Sequence, residues 1–211
     1  MLDVCCYKGD EVTPRYTKEE LEGFFKGSFF DFPLAADARL KARVAAYSLL
    51  YNRLMESSLH KDHPLKAPFS YPRYGKVGIA SVGGLREVWV SISYSGEYVM
   101  CGISSQPIGV DVQKVRHIPL AMLEAISSNA EKGFIYGFSL TAQCQLFSLK
   151  ESYAKAIQSG MVFPAVYAEY DALFELQSHA GQVYSKRHNI SGSDYVASVS
   201  CVPEPFIIKG A

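Results

Sequence analysis

The chain has 211 residues, and its 21 Lys plus Arg balance 21 Asp plus Glu, so it can bury a core and carries no formal net charge. That balance excludes the basic field that holds nucleic acid non-specifically, and a 48% hydrophobic content speaks against disorder. No apolar run approaches the roughly 20 residues that cross a bilayer. Met1 to Lys8 lacks the charged-then-apolar order of a secretion signal. A cytoplasmic monomer without nucleic-acid or membrane partners is expected.

Residues 35–56 contain no Gly or Pro, and Val44, Tyr47, Leu50, Tyr51 and Leu54 recur as one face of a long helix requires. A loop with Pro64, Pro68 and Pro72 leads to Tyr74-Gly75-Lys76. Val88, Val90 and Ile92 then alternate with Trp89, Ser91 and Ser93, the period of a half-buried strand. Ser95-Gly96-Glu97 turns the chain, and 98–103 returns as the second strand of a hairpin. Gln106-Pro107 opens a third strand, in which Ile108, Val110 and Val112 alternate with Gly109, Asp111 and Gln113. Residues 119–138 read as mostly helical, with a capping box at Ser128-Asn129-Ala130-Glu131. A helix over 141–158 stops at Ser159-Gly160, and strand-like runs follow near 166–171, 182–189 and 195–202. Strands follow a helix twice, so an α+β chain of two similar halves is expected, divided into 1–107 and 108–211.

Cys5, Cys6, Cys101, Cys144 and Cys201 are odd in number and form no C-x-x-C. Neither a disulfide framework nor a zinc knuckle follows, and Cys101 and Cys201 read as buried thiols. His60 and His63 have ligand-like spacing but no third partner nearby.

Residues two apart on a strand share a face, so Asp111 and Gln113 project together, opposite Val110 and Val112. Two oxygen donors on one face suit a hard cation, although an exposed Asp and Gln on a wet face is the commoner arrangement. On the 141–158 helix, Leu146, Leu149, Tyr153 and Ile157 form one side. Phe147, Glu151, Lys155 and Gln158 form the other, with Lys150 at the stripe's edge. Glu151 and Lys155 are i,i+4 neighbours, usually a surface ion pair, but Phe147 beside them argues that something covers this side. Ser93-Tyr94-Ser95-Gly96 and Tyr74-Gly75-Lys76 could each receive a phosphate, although most such clusters are simply turns.

Taken in order, these segments resemble the 4′-phosphopantetheinyl transferases, in the larger single-chain type that activates peptide and polyketide synthetases. Tyr74-Gly75-Lys76-Val77 is similar to the family's Tyr-Gly-Lys-Pro, and Ser91 to Gly96 to its Asn-Ile-Ser-His-Ser-Gly. Gln106 to Gln113 resembles its strand ending Gly-Ile-Asp-Ile-Glu, and Ser128 to Glu131 its Ser-x-x-Glu. Phe147 to Lys155 resembles its Trp-Ser-x-Lys-Glu-Ser/Ala-x-x-Lys. The resemblance implies two α/β subdomains related by a pseudo-twofold, each a small antiparallel sheet on a long helix, with coenzyme A between them. It implies transfer of the phosphopantetheine arm to a serine of an acyl, peptidyl or polyketide carrier protein, releasing adenosine 3′,5′-bisphosphate. Asp111, Gln113 and Glu151 would then hold Mg²⁺, with Glu151 and Lys155 acting on the incoming serine and departing phosphate. Gly75, Lys76, Ser93, Tyr94 and Lys150, with Arg39 and Arg43 from the upstream helix, would hold coenzyme A.

Phe147 for the family's Trp is a conservative departure, and three others bear on charge at the site. Gln113 stands where a third carboxylate is usual, Tyr94 replaces a histidine facing the 3′-phosphate, and Tyr47 lies near a position that often carries arginine. A catalytically impaired relative that only binds coenzyme A or a carrier is the alternative. Joint retention of Asp111, Glu151 and Lys155 favours the enzyme.

Overall fold

The computed structural model describes residues 2–8, 20, 25–26, 37–56, 69–70, 76–81, 84–157, 168–170, 176–179, 184–190 and 194–201. Its elements run β1 (Leu2–Lys8), β2 (Phe25–Lys26), α1 (Asp37–Glu56), β3 (Phe69–Ser70), β4 (Lys76–Ser81), β5 (Gly84–Ser95), β6 (Tyr98–Ser104) and β7 (Ile108–Lys114). There follow α2 (Leu120–Ile126), α3 (Asn129–Ile135), α4 (Leu140–Ile157), β8 (Ala168–Tyr170), β9 (Leu176–His179), β10 (Tyr184–Asn189) and β11 (Tyr195–Cys201). One sheet has the order β1-β6-β5-β4-β3-β2, a second β10-β11-β7, and β8 pairs with β9. All pairings are antiparallel except the short β2–β3 pair, so the chain is α+β.

The expected hairpin forms between β5 and β6, with Ser95 opposite Tyr98. Gly96 closes its two-residue turn at φ 55°, a left-handed backbone that a Cβ disfavours. A Cβ there would also sit 2.1 Å from the Tyr195 hydroxyl, which accepts the Glu97 N–H at 3.2 Å. The hairpin tip is thereby fastened to β11. Val110 and Val112 pack with Tyr98, Met100, Tyr195 and Val199, so the apolar face of β7 joins the two larger sheets in one core.

The two larger sheets are also joined by hydroxyls. Ser91, Ser93 and Ser95, on one face of β5, accept the N–H groups of Val110, Val112 and Lys114 at 3.0, 3.2 and 3.0 Å. Alternate side chains here replace the carbonyls of a neighbouring strand, and none of the three β7 donors is left unsatisfied.

Residues 119–138 divide into two short helices where Ser127 and Ser128 turn extended. Ser128 caps α3 as expected: its hydroxyl accepts the Glu131 N–H, and Glu131 returns a carboxylate to the Ser128 N–H. α1 packs on β5 and β6. It buries Ala45, Ala46, Ser48 and Leu49 along with Tyr47 and Leu50, a wider face than apolar spacing indicated. Tyr47 therefore belongs to the core rather than to a phosphate-facing edge. β1, β2, β3, β4 and β9 had no counterpart among the strands expected from sequence. Of the Pro-containing loop only Phe69–Ser70 is described, as β3, and Pro64, Pro68, Pro72 and His60–His63 lie outside the described residues. Among the described residues no helix is long and apolar enough to cross a membrane.

Candidate active site

The distinctive face of β7 lies against α4. Gly109 allows this: a Cβ on it would fall 1.8 Å from the Ser152 carbonyl oxygen and 2.7 Å from the Ala156 nitrogen. The helix approaches the strand as closely as backbone permits. Polar side chains line the contact. The Ser148 hydroxyl donates to the Asp111 carbonyl at 3.3 Å, Gln145 Nε2 donates to the Ser198 hydroxyl at 3.0 Å, and the Ser152 and Ser200 hydroxyls meet at 2.8 Å.

This packing buries Asp111 to 2% exposure, so the wet-face reading of the strand is overturned. Its Oδ1 accepts from the Ser93 hydroxyl and from Lys155 Nζ, each at 2.9 Å. Lys155 Nζ also donates to the Val110 carbonyl at 3.0 Å, and its side chain keeps 30% exposure. Asp111 Oδ2 is buried and has no hydrogen-bond partner among the described residues. A buried carboxylate oxygen without a donor is costly, and a cation is one way to satisfy it. Glu151 is half-buried one helical turn before Lys155. Burial raises its pKa above the ordinary value, Lys155 lowers it, and the charge of Asp111 raises it again. Among the described residues no group of three or more His, Cys, Asp and Glu could hold a metal ion. Two carboxylates would leave most of a hard cation's shell to water and substrate oxygens.

Gln113 sits at the α2 side of this face. It lines a cavity of about 100 Å³ with Arg116, His117, Met122, Cys144 and Phe147. Arg116 and His117 were not singled out from sequence, although the run Lys-Val-Arg-His immediately follows Gln113. The cavity is far below the several hundred Å³ that a nucleotide-sized ligand occupies.

Three expectations are corrected. Phe147 does not stand apart from the apolar stripe, because it packs in one cluster with Leu146, Leu149 and Tyr153. Lys150, expected beside a phosphate, has 0% side-chain exposure and pairs with Glu131 Oε2 at 2.8 Å. Its ammonium also lies 5.5 Å from the Tyr170 ring centre. Burial lowers the Lys150 pKa, while Glu131 and then Glu169 raise it. Ser93 is buried, and its hydroxyl serves Asp111 and the Val112 N–H rather than a surface phosphate. Tyr94 is half-buried at the end of β5. Gly75 and the side chains of Arg39, Arg43 and Lys76 lie outside the described residues.

The thiols offer no alternative nucleophile. None of the five is in a disulfide, Cys101 and Cys144 are buried, and Cys201, expected to be buried, is half-buried. Burial and then the neighbouring Cys5 push the Cys6 thiol up to about 11, and burial also raises those of Cys144 and Cys201.

Residues 107–203, which contain β7, α4 and β11, match the family model described as the 4′-phosphopantetheinyl transferase superfamily. Over these residues, somewhat less than half of its length, the chain is similar to that superfamily. It is 31% identical over 124 residues to the 4′-phosphopantetheinyl transferase Sfp of Bacillus subtilis strain 168, covering 56% of this chain and 54% of that protein. It is 32% identical over 82 residues to the 4′-phosphopantetheinyl transferase gsp of Aneurinibacillus migulanus, covering 37% and 35% of the two. A 4′-phosphopantetheinyl transferase of Bacillus subtilis is 25% identical over 163 residues, covering 65% and 71%. The match to the first two relatives spans about a third to a half of their length.

Proposed function

We propose that this protein transfers the 4′-phosphopantetheine arm of coenzyme A to a serine hydroxyl of an apo carrier protein and releases adenosine 3′,5′-bisphosphate. The observation that carries the proposal is Asp111: a buried carboxylate with one oxygen held by Ser93 and Lys155 and the other without a donor. Asp111, Glu151 and the Gln113 carbonyl oxygen would hold Mg²⁺, which supplies positive charge against the pyrophosphate of coenzyme A. In the same reading, residues 1–107 and 108–211 are two subdomains related by a pseudo-twofold, with coenzyme A between them. A long helix packed on a sheet in each half, α1 on β5–β6 and α4 on β7–β11, supports that division.

The chemistry assigned to the chain's own groups is short. Glu151 accepts the proton of the incoming serine hydroxyl, and a carboxylate made more basic by burial suits that task. The serine oxygen forms a bond to the phosphorus that carries pantetheine. The bond from that phosphorus to the bridging oxygen breaks, leaving the new charge on the 5′-phosphate of the departing bisphosphate. Lys155, already paired with a carboxylate and partly exposed, donates to that oxygen. Gly75, Lys76, Tyr94, Arg39 and Arg43 are assigned to the nucleotide end.

The test incubates the purified chain with coenzyme A, Mg²⁺ and a panel of apo acyl, peptidyl and polyketide carriers, and weighs the carriers by mass spectrometry. A mass gain of one phosphopantetheine on a serine, absent with excess chelator, is expected. Binding of coenzyme A without any mass gain would replace the transferase with the binding module.

A further inference from the structure

We infer that Ser93 is a positioning residue: its hydroxyl fixes the rotamer of Asp111 so that Oδ2 is left for the divalent cation. The inference rests on the transferase reading above and adds a residue to its machinery. A carboxylate on a strand can turn either oxygen toward solvent, and an aspartate free to turn is a poor ligand because binding must first order it. Here the turn is prevented from two sides. Lys155 Nζ reaches Oδ1 from α4, and the Ser93 hydroxyl reaches the same oxygen from β5, both at 2.9 Å.

The serine can do this because it is itself held. Its oxygen accepts the Val112 N–H at 3.2 Å, which directs the hydroxyl proton toward Asp111. The neighbouring hydroxyls of Ser91 and Ser95 hold β5 and β7 in register on either side. Ser91 and Ser93 therefore share one structural duty, acceptance of a β7 N–H, but only Ser93 is described as donating to Asp111. That difference separates positioning from mere support.

The experiment compares Ser93→Ala, the near-isosteric poor donor Ser93→Cys, the hydroxyl-retaining Ser93→Thr, and Ser91→Ala as the matched control. Mn²⁺ is titrated into each protein with coenzyme A present, and free Mn²⁺ is read by electron paramagnetic resonance against a blank of coenzyme A alone. Groups that orient metal ligands are typically worth about 10–100-fold in affinity, so Ser93→Ala and Ser93→Cys should weaken Mn²⁺ by about tenfold or more. Ser93→Thr should restore most of the affinity. Ser91→Ala should lower the thermal midpoint yet leave the Mn²⁺ dissociation constant at the parental value. If Ser93→Ala does not fold, Ser93→Cys decides the outcome. Equal weakening by the Ser91 and Ser93 variants, or no weakening by Ser93→Cys, overturns the inference. Should Asp111→Ala abolish Mn²⁺ binding while Ser93→Cys leaves it intact, the transferase reading stands and only the role of Ser93 falls. If the parent chain binds no Mn²⁺ and transfers nothing, both fall.

Discussion

Replacing Glu131 by glutamine tests how α4 is held. Glu131 Oε2 accepts the Ser128 N–H at 2.7 Å and pairs with Lys150 at 2.8 Å, while Oε1 accepts the Tyr170 N–H at 2.8 Å. One carboxylate thus joins the start of α3, the middle of α4 and β8, with no exposure. Glu131→Gln preserves the shape, but a single oxygen cannot serve both backbone donors, and Lys150 loses the nearest compensating charge. Removing one partner of a buried ion pair costs about 3–5 kcal/mol. The lower end applies because Glu169 also favours the Lys150 ammonium. About 3 kcal/mol corresponds to a midpoint fall of roughly 6–12 °C in a chain of this size. Lys150→Met in the Glu131→Gln background removes the uncompensated charge and should recover a large part of the loss. Urea denaturation of the parent, both single variants and the double variant gives the coupling energy, expected at about 1–3 kcal/mol. A cost below about 1 kcal/mol for Glu131→Gln, or a double variant no more stable than Glu131→Gln alone, would refute the reasoning.

Glu151→Gln should reduce transfer by orders of magnitude while stabilising the fold at neutral pH. The folded protein raises the Glu151 pKa above 4.5, so its stabilising contribution is full below that value and is lost as pH rises through the folded pKa. The glutamine variant should therefore show the higher thermal midpoint near pH 7 and lose that advantage near pH 4, and the opposite trend counts against a desolvated carboxylate. Gln113→Glu adds a third anionic donor and should lower the Mg²⁺ concentration for half-maximal transfer; an unchanged requirement means that position 113 does not face the cation. Tyr94→His should tighten coenzyme A by about 1 kcal/mol through a charged hydrogen bond and leave 3′-dephospho-coenzyme A unaffected. Calorimetric titration of both ligands decides it, since equal shifts would remove Tyr94 from phosphate recognition.

Much of the architecture was legible because its signals are local. The hairpin turn at Gly96, the box at Ser128–Glu131 and the helix later seen as α4 each follow from residues within a few positions of one another. Periodicity put Asp111 on one strand face and Lys155 on one helix face, and the family resemblance implied that they share a site, but neither indicated where Lys150 would lie. Position 150 lies at the stripe's edge, and only the distant Glu131 and Tyr170 make an ammonium tolerable in the interior there. Ser93 misled for a related reason. A serine near a turn looks like a ligand for anions, whereas its true acceptor and donor partners lie on a strand that follows 18 or 19 residues later. Strand β1 was missed because its pairing is decided by a distant partner, Leu2 opposite Ser104 for example.

The hydroxyl seam between β5 and β7 bears on how the chain assembles as it is made. β7 pairs with β11, which begins about eighty residues after β7 ends. At roughly 5–20 residues per second, the ribosome needs roughly 4–16 s to supply that second strand. A strand waiting so long with bare amides is exposed to mispairing. Ser91, Ser93 and Ser95 are synthesised before β7, so one edge of it can be occupied as soon as it emerges. The carboxylate at position 111 would then enter its final environment in two stages: first beside β5, and later beneath the arriving helix and the last strand.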